Sequence, residues 1–248
     1  MDTTGLRFWH GTSATAAIGI LSEGARDFPS ELGASNLAKE IWPPILQKVG
    51  DEYETAALFQ QAAGSDSVAW PVVLKILHED KSEGTQYCYG QFYVTTSRRK
   101  AARYARRNRS GSEILSVIED GLKVIDQFDR MLGDRLRTSY PELIRRLSLP
   151  PHPIVLELSG IRADRLTDDT GEAIDDWQEE IELVVSSDSI VEPAFRIAGV
   201  KPADVVGVYD LANVQGSAEQ PIPLERWEQI QASPAKWLLA QKARYHAR

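Results

Sequence analysis

The proline cluster Pro150-Pro151-His152-Pro153 marks a change of hydrophobic period, and that change constrains the fold most. Before it, apolar residues mostly recur every three or four positions. After it, they run in short blocks rich in Ile and Val. The first habit is that of amphipathic helices and the second that of strands. A chain that groups helices in its first 150 residues and strands in the next 60 is expected to be α+β, with a small split sheet.

Local signals fill in this outline. Leu6 to Trp9 reads as a short strand that ends in a turn at His10-Gly11-Thr12. Ser13 is placed to N-cap a helix and Gly24 to end it. Residues 31–80 read as mostly helical, with Leu37, Ile41, Ile45 and Val49 on one face. Pro43-Pro44 is expected to kink or end that helix. Tyr53–Ala63 and Val72–Leu77 suit two further helices, and Glu83-Gly84-Thr85 punctuates the chain. Tyr87–Thr95 alternates like a strand, and Thr96 or Ser97 then caps a helix over Arg98–Arg107. Glu113–Leu147 has helical spacing at Ile114, Val117, Ile118, Leu122 and Ile125, then at Met131, Leu132 and Leu136. Ile154–Leu158, Ile181–Ser186 and Val205–Leu211 read as strands, and Trp227–Tyr245 as a helix.

Composition excludes several kinds of chemistry. The chain has 248 residues, 42% of them hydrophobic and 26% charged, enough for a buried core. Its net charge of −8 makes whole-protein affinity for nucleic acid no default, although a local basic patch can still supply it. Cys88 is the one cysteine, so no intramolecular disulfide forms. Met1 to Trp9 lacks the pattern of a secretory signal, and no apolar run reaches the roughly 18 residues of a membrane span. A cytoplasmic protein with no membrane association is the expectation. The four histidines, His10, His78, His152 and His246, show no metal-ligand spacing. There is no P-loop, no dinucleotide fingerprint after a strand and no G-x-S-x-G motif.

Three segments remain. They are Phe8-Trp9-His10-Gly11-Thr12-Ser13, then Tyr89-Gly90-Gln91-Phe92-Tyr93-Val94-Thr95-Thr96-Ser97 continuing to Ala101-Ala102-Arg103-Tyr104-Ala105, and Glu179-Glu180-Ile181-Glu182-Leu183-Val184-Val185. Together they resemble the H-Y-E class of ADP-ribosyltransferases, which includes the diphtheria-toxin-like and poly(ADP-ribose)-polymerase-like catalytic domains. That class has His-Gly-Ser/Thr on its first strand, a Gly-x-x-Tyr motif followed by a helix with a second Tyr, and a Glu leading a later strand. Tyr93 and Tyr104 are eleven residues apart, the spacing of its better-known members. The likeness covers three short islands. The residue before the aromatic pair is Gln91 rather than Gly, and nearly 80 residues separate the first two motifs.

The resemblance implies one ADP-ribosyltransferase-like domain over 1–248, with helical insertions at about 31–81 and 112–150. It implies NAD as substrate, transfer of a single ADP-ribose to a macromolecular acceptor, protein or nucleic acid, and release of nicotinamide. His10 would then bond the adenosine-side ribose, and Gly11 would offer its backbone to the carboxamide. Tyr93 and Tyr104 would sandwich the pyridinium ring. Thr12 and Ala101 would complete the NAD-binding set. Glu182 would be the catalytic carboxylate that holds the 2′-hydroxyl and stabilises the oxocarbenium ion, acting with His10 and Tyr93. Glu180, two residues earlier on the same strand face, would serve the acceptor along with Arg106 and Arg107. By analogy with bacterial toxins and defence effectors of this type, an antitoxin or immunity partner is a further expectation. Alternatives stay open: an NAD-consuming RNA 2′-phosphotransferase-like enzyme, or an inactive nucleotide-binding relative.

Each segment also has a plainer reading. His10 can be a strand-end histidine, Tyr93 and Tyr104 core aromatics, and Glu179, Glu180 and Glu182 a solvated acidic stretch. From Arg98 to Arg109 there are seven Lys or Arg and no acid. Ala101, Ala102, Tyr104 and Ala105 fall inward, and Arg99, Arg103, Arg106 and Arg107 outward. That face suits either solvent or phosphate, and Arg135, Arg137, Arg145 and Arg146 are candidates to extend it.

Overall fold

The computed structural model describes residues 5–25, 33–50, 52–63, 70–79, 92–108, 111–149, 152–168, 171–174 and 194–211. Along the chain the elements are β1 (Phe8–Ser13), α1 (Ala14–Glu23), α2 (Ala34–Val49), α3 (Glu52–Ala63), α4 (Trp70–His78), β2 (Phe92–Val94), α5 (Arg98–Arg107), α6 (Glu113–Phe128), α7 (Arg130–Ser139), α8 (Pro141–Leu147), β3 (Pro153–Leu158), β4 (Leu166–Thr167), β5 (Phe195–Ile197) and β6 (Val205–Asp210). The class is mixed helix and strand, compatible with α+β. Two compact units share the chain. One takes Met1–Phe28, Gln91–Gly111 and Pro150–Arg248, and the other takes Pro29–Gly90 and Ser112–Leu149.

Among the described residues, the first unit holds two antiparallel three-stranded sheets, ordered β1-β3-β6 and β2-β5-β4. They meet at Trp9 and Thr95. The Trp9 N–H donates to the Thr95 carbonyl at 2.7 Å, and the Thr95 N–H donates back at 2.9 Å. The turn expected at His10-Gly11-Thr12 is instead the middle of β1, opposite Leu156, Val155 and Ile154 of β3. The strand runs straight into α1, whose N-cap is Ser13. The Ser13 hydroxyl accepts from the Ala16 N–H, and Gly24 follows the helix at φ +81°. Helix α5 lies on the first sheet. Its Ala101, Ala102 and Ala105 pack with Val155, Leu211, Trp9 and Tyr209.

The second unit is helical. Leu37, Ile41, Ile45, Phe59, Leu74, Ile118, Ile125 and Leu143 form its core, all fully buried. Pro43-Pro44 does not end α2, which runs through both prolines. Proline at 43 deprives the Lys39 carbonyl of its usual helical donor. The His78 Nδ1–H at the end of α4 donates to that carbonyl at 3.3 Å. Buried Ile41, Trp42 and Ile45 on either side hold the helix by tertiary packing.

The helical stretch read over 113–147 is three helices. Asp129 closes α6 and opens α7, where its carboxylate accepts from the Leu132 N–H at 2.9 Å. Pro141 then begins α8. Met131, grouped with Leu132 and Leu136 by spacing, is 85% exposed, while Gly133 and Leu136 are buried. Arg137 is bidentate with Asp126, at 2.8 and 2.5 Å, and the Tyr140 hydroxyl donates to Glu40 at 2.5 Å. Strands β4 and β5, at two and three residues, are too short to show a period in the sequence. The strand expected over Ile181–Ser186, the helix over Trp227–Tyr245 and the punctuation at Glu83-Gly84-Thr85 lie outside the described residues.

Candidate active site

Two of the three sequence segments come into direct contact within the first unit. His10 projects from β1, and its Nδ1–H donates to the main-chain carbonyl of Tyr93 on β2 at 2.7 Å. Its ring stacks on Phe92, with centroids 3.9 Å apart and planes at 26°. A carbonyl only accepts, so Nδ1 carries the proton and Nε2 is left as an acceptor. Burial lowers the imidazole pKa from 6.5 to about 4, with the Tyr93 carbonyl opposing the shift. His10 is therefore neutral near pH 7. Phe92 and Tyr93 leave opposite faces of β2, and the imidazole lies on the Phe92 side, so it meets Tyr93 through the main chain.

Gly11 has a packing reason to be glycine. A β-carbon there would stand 2.0 Å from the Ala101 carbonyl oxygen and 2.9 Å from the Ala105 nitrogen. The backbone of α5 thus rests on the backbone of β1, and Ala101 is buried at that contact. This close approach is by the protein's own backbone and is separate from the ligand contact that the resemblance implies for Gly11. Buried Thr12 donates its hydroxyl to the Gly111 carbonyl at 3.4 Å. Ser97 sets the start of α5 by accepting from the Lys100 N–H at 3.1 Å.

Tyr93 is half-buried and stands opposite Arg196 of β5, which in turn stands opposite Thr167 of β4. The three share one face of the second sheet. Gly171, at φ +98°, makes room for the guanidinium, since a β-carbon there would come within 2.1 Å of Arg196 Nη1. Arg196 is a candidate site residue that the sequence motifs do not include. Its strand is too short to show alternation, and no motif contains it.

Tyr104 is half-buried at the flank of the alanine face of α5. Arg106 and Arg107 are exposed in the last turn of that helix. A second grouping passed over by sequence reasoning lies at the start of α5. The Arg98 guanidinium sits 4.1 Å over the Tyr209 ring and 5.4 Å over Trp9. The Tyr209 hydroxyl donates to Glu157 at 2.5 Å, and Arg7 pairs with the same carboxylate at 3.5 Å. Glu179, Glu180 and Glu182 lie outside the described residues.

The described part of the site thus offers a neutral hydrogen-bond acceptor on His10, on the Phe92 side of β2, and the half-buried Tyr93 beside the Arg196 guanidinium on the other face, near the bridge where the two sheets meet. Among the described residues, no three His, Cys, Asp or Glu gather to hold a metal ion, and no helix is long and apolar enough to cross a membrane. Comparison with known protein families, with curated proteins and with solved structures finds no match to the chain.

Proposed function

We propose that this chain is an NAD-dependent mono-ADP-ribosyltransferase that passes ADP-ribose to a macromolecular acceptor and releases nicotinamide. The observation that carries the reading is the contact between His10 and Tyr93. Two motif segments 83 positions apart in sequence share a hydrogen bond where the two sheets meet. Two further features support it. A neutral imidazole whose Nδ1–H is already used presents Nε2 to accept from a ribose hydroxyl. Arg196, beside Tyr93, has the charge and fork geometry to meet a pyrophosphate.

In this reading nicotinamide leaves as a neutral molecule, and positive charge grows on the ribose. Tyr93 and Tyr104 face the pyridinium, and Glu182 stabilises the oxocarbenium ion. Electrostatic preorganisation of this kind is usually the largest catalytic contribution. Glu180 acts on the acceptor nucleophile.

The test is nicotinamide release from NAD, followed chromatographically. The wild type is expected to release nicotinamide. Glu182→Gln should be slower by about 10²–10³-fold while binding NAD nearly as well, because the charge matters most in the transition state. Glu179→Gln should behave as wild type. Arg196→Gln should weaken NAD binding about tenfold, the loss of one charged hydrogen-bonded contact. A wild-type chain that neither binds nor cleaves NAD ends this reading.

A further inference from the structure

The NAD reading assigns Arg106 and Arg107 of α5 to an acceptor and leaves the rest of the helix's outer basic face unexplained. The helix carries Arg98, Arg99, Lys100, Arg103, Arg106 and Arg107 and no acid, in a chain whose net charge is −8. At 100° per residue, Arg99, Arg103, Arg106 and Arg107 fall within an arc of about 100°, and all four are exposed. Ala101 and Ala105 lie on the opposite side, buried against Gly11. Arg98 points the same way as those alanines, stacked over Tyr209 and Trp9. One cation thus pins the helix to the sheet while four face away from it. Among the described residues, no carboxylate lies within ion-pair reach of Arg99, Arg103 or Arg107.

We infer that this face docks the phosphate backbone of a single-stranded nucleic acid. Like-charged side chains one helical turn apart repel one another, at a cost of about 0.2–0.5 kcal/mol per pair, and a bound polyanion relieves that repulsion. Guanidinium is suited to phosphate because its fork donates two parallel bonds. From Arg99 to Arg107 the helix rises about 12 Å, the axial length of roughly three to four stacked nucleotides. The exposed stripe offers no Asn, Gln, Asp or Glu to read base edges, so it suits a flexible strand bound without sequence preference. The inference does not depend on the transferase reading.

The experiment is fluorescence anisotropy with a labelled oligouridylate of about twenty nucleotides, more than one strand-binding site is long, in buffer without NAD. Wild type is compared with R99Q/R103Q/R107Q across salt from about 50 to 200 mM. Wild type should bind with a steep salt dependence. The variant should bind about tenfold more weakly, with a log–log salt slope flatter by about 2, the value for three lost contacts to a single strand. Its far-UV circular dichroism should be unchanged. R99K/R103K/R107K, which keeps the charge, should retain the slope. An oligothymidylate of equal length should bind equally well, since the stripe meets phosphate rather than ribose. The inference is overturned if wild type does not bind, or if the Gln variant binds equally well. It is also overturned by a strong preference for either sugar, or if polyglutamate of matched charge competes as well as RNA, which would make the face a dock for acidic proteins. Because no NAD is present, loss of nicotinamide release leaves this result unaffected, and the reverse also holds.

Discussion

His10 joins two sheets through one hydrogen bond, and its titration gives that joint a pH dependence. The folded ring titrates near 4 and the unfolded one near 6.5. Above 6.5 both states hold a neutral imidazole and His10 contributes no pH dependence. As pH falls below 6.5 the unfolded chain takes up a proton that the folded chain refuses, so stability declines until about pH 4. Allowing for the exposed part of the ring, the loss should be about 1–3 kcal/mol. Guanidinium unfolding at pH 7 and pH 5 measures it, and His10→Gln should show a flatter dependence than wild type. Gly11 makes a second test. Gly11→Ala drives a methyl into the Ala101 carbonyl, between two backbones that have little room to yield, and should cost about 3 kcal/mol of stability. A thermal midpoint within a degree or two of wild type would show that α5 does not rest on β1 as described. Both residues were legible in the sequence as a His-Gly pair ahead of a helix. The packing reason for the glycine was not, because Ala101 is 90 positions away and nothing local announces it.

Among elements, the helix starts were the easiest to read. Ser13 and Ser97 each precede an apolar or alanine-bearing period, and each accepts from an N–H in the first turn of its helix. Asp129 works by the same chemistry, yet its break was hidden because apolar spacing resumes on both sides of it. Of the kink or end expected at Pro43-Pro44, the end does not occur, since α2 runs through both prolines. Local rules count the missing N–H groups and the ring clash, and cannot see a donor 35 positions away at His78. That contact is open to a double-mutant cycle. His78→Ala should cost about 1 kcal/mol in the wild type, where it removes the hydrogen bond to the Lys39 carbonyl. In a Pro43→Ala background, where residue 43 supplies its own N–H, His78→Ala should cost clearly less. Additive costs in denaturant unfolding would mean that His78 does not substitute for the missing helical bond.

At the scale of the whole molecule, the chain crosses between its two units four times, after residues 28, 90, 111 and 149. The grouping of helices before Pro150 was legible because helical periods persist over long windows. That Gln91–Gly111 belongs with the sheets was not, since membership depends on contacts distant in sequence. The helical unit has its own buried core. We therefore expect that residues 29–90 joined to 112–149 through a short Gly/Ser linker fold alone. The measurement is thermal circular dichroism, where a cooperative loss of helicity is the expected outcome and a gradual one would count against an independent core. The pairing of β1 with β3 also bears on how the protein is made. Ser13 lies opposite Pro153, 140 positions later. At about 5–20 residues per second, a ribosome needs roughly 7 to 28 seconds to supply β1 with that partner. For that interval the edge of β1 that pairs with β3 is open to water, chaperones or a neighbouring nascent chain, and slower translation should lengthen that exposure.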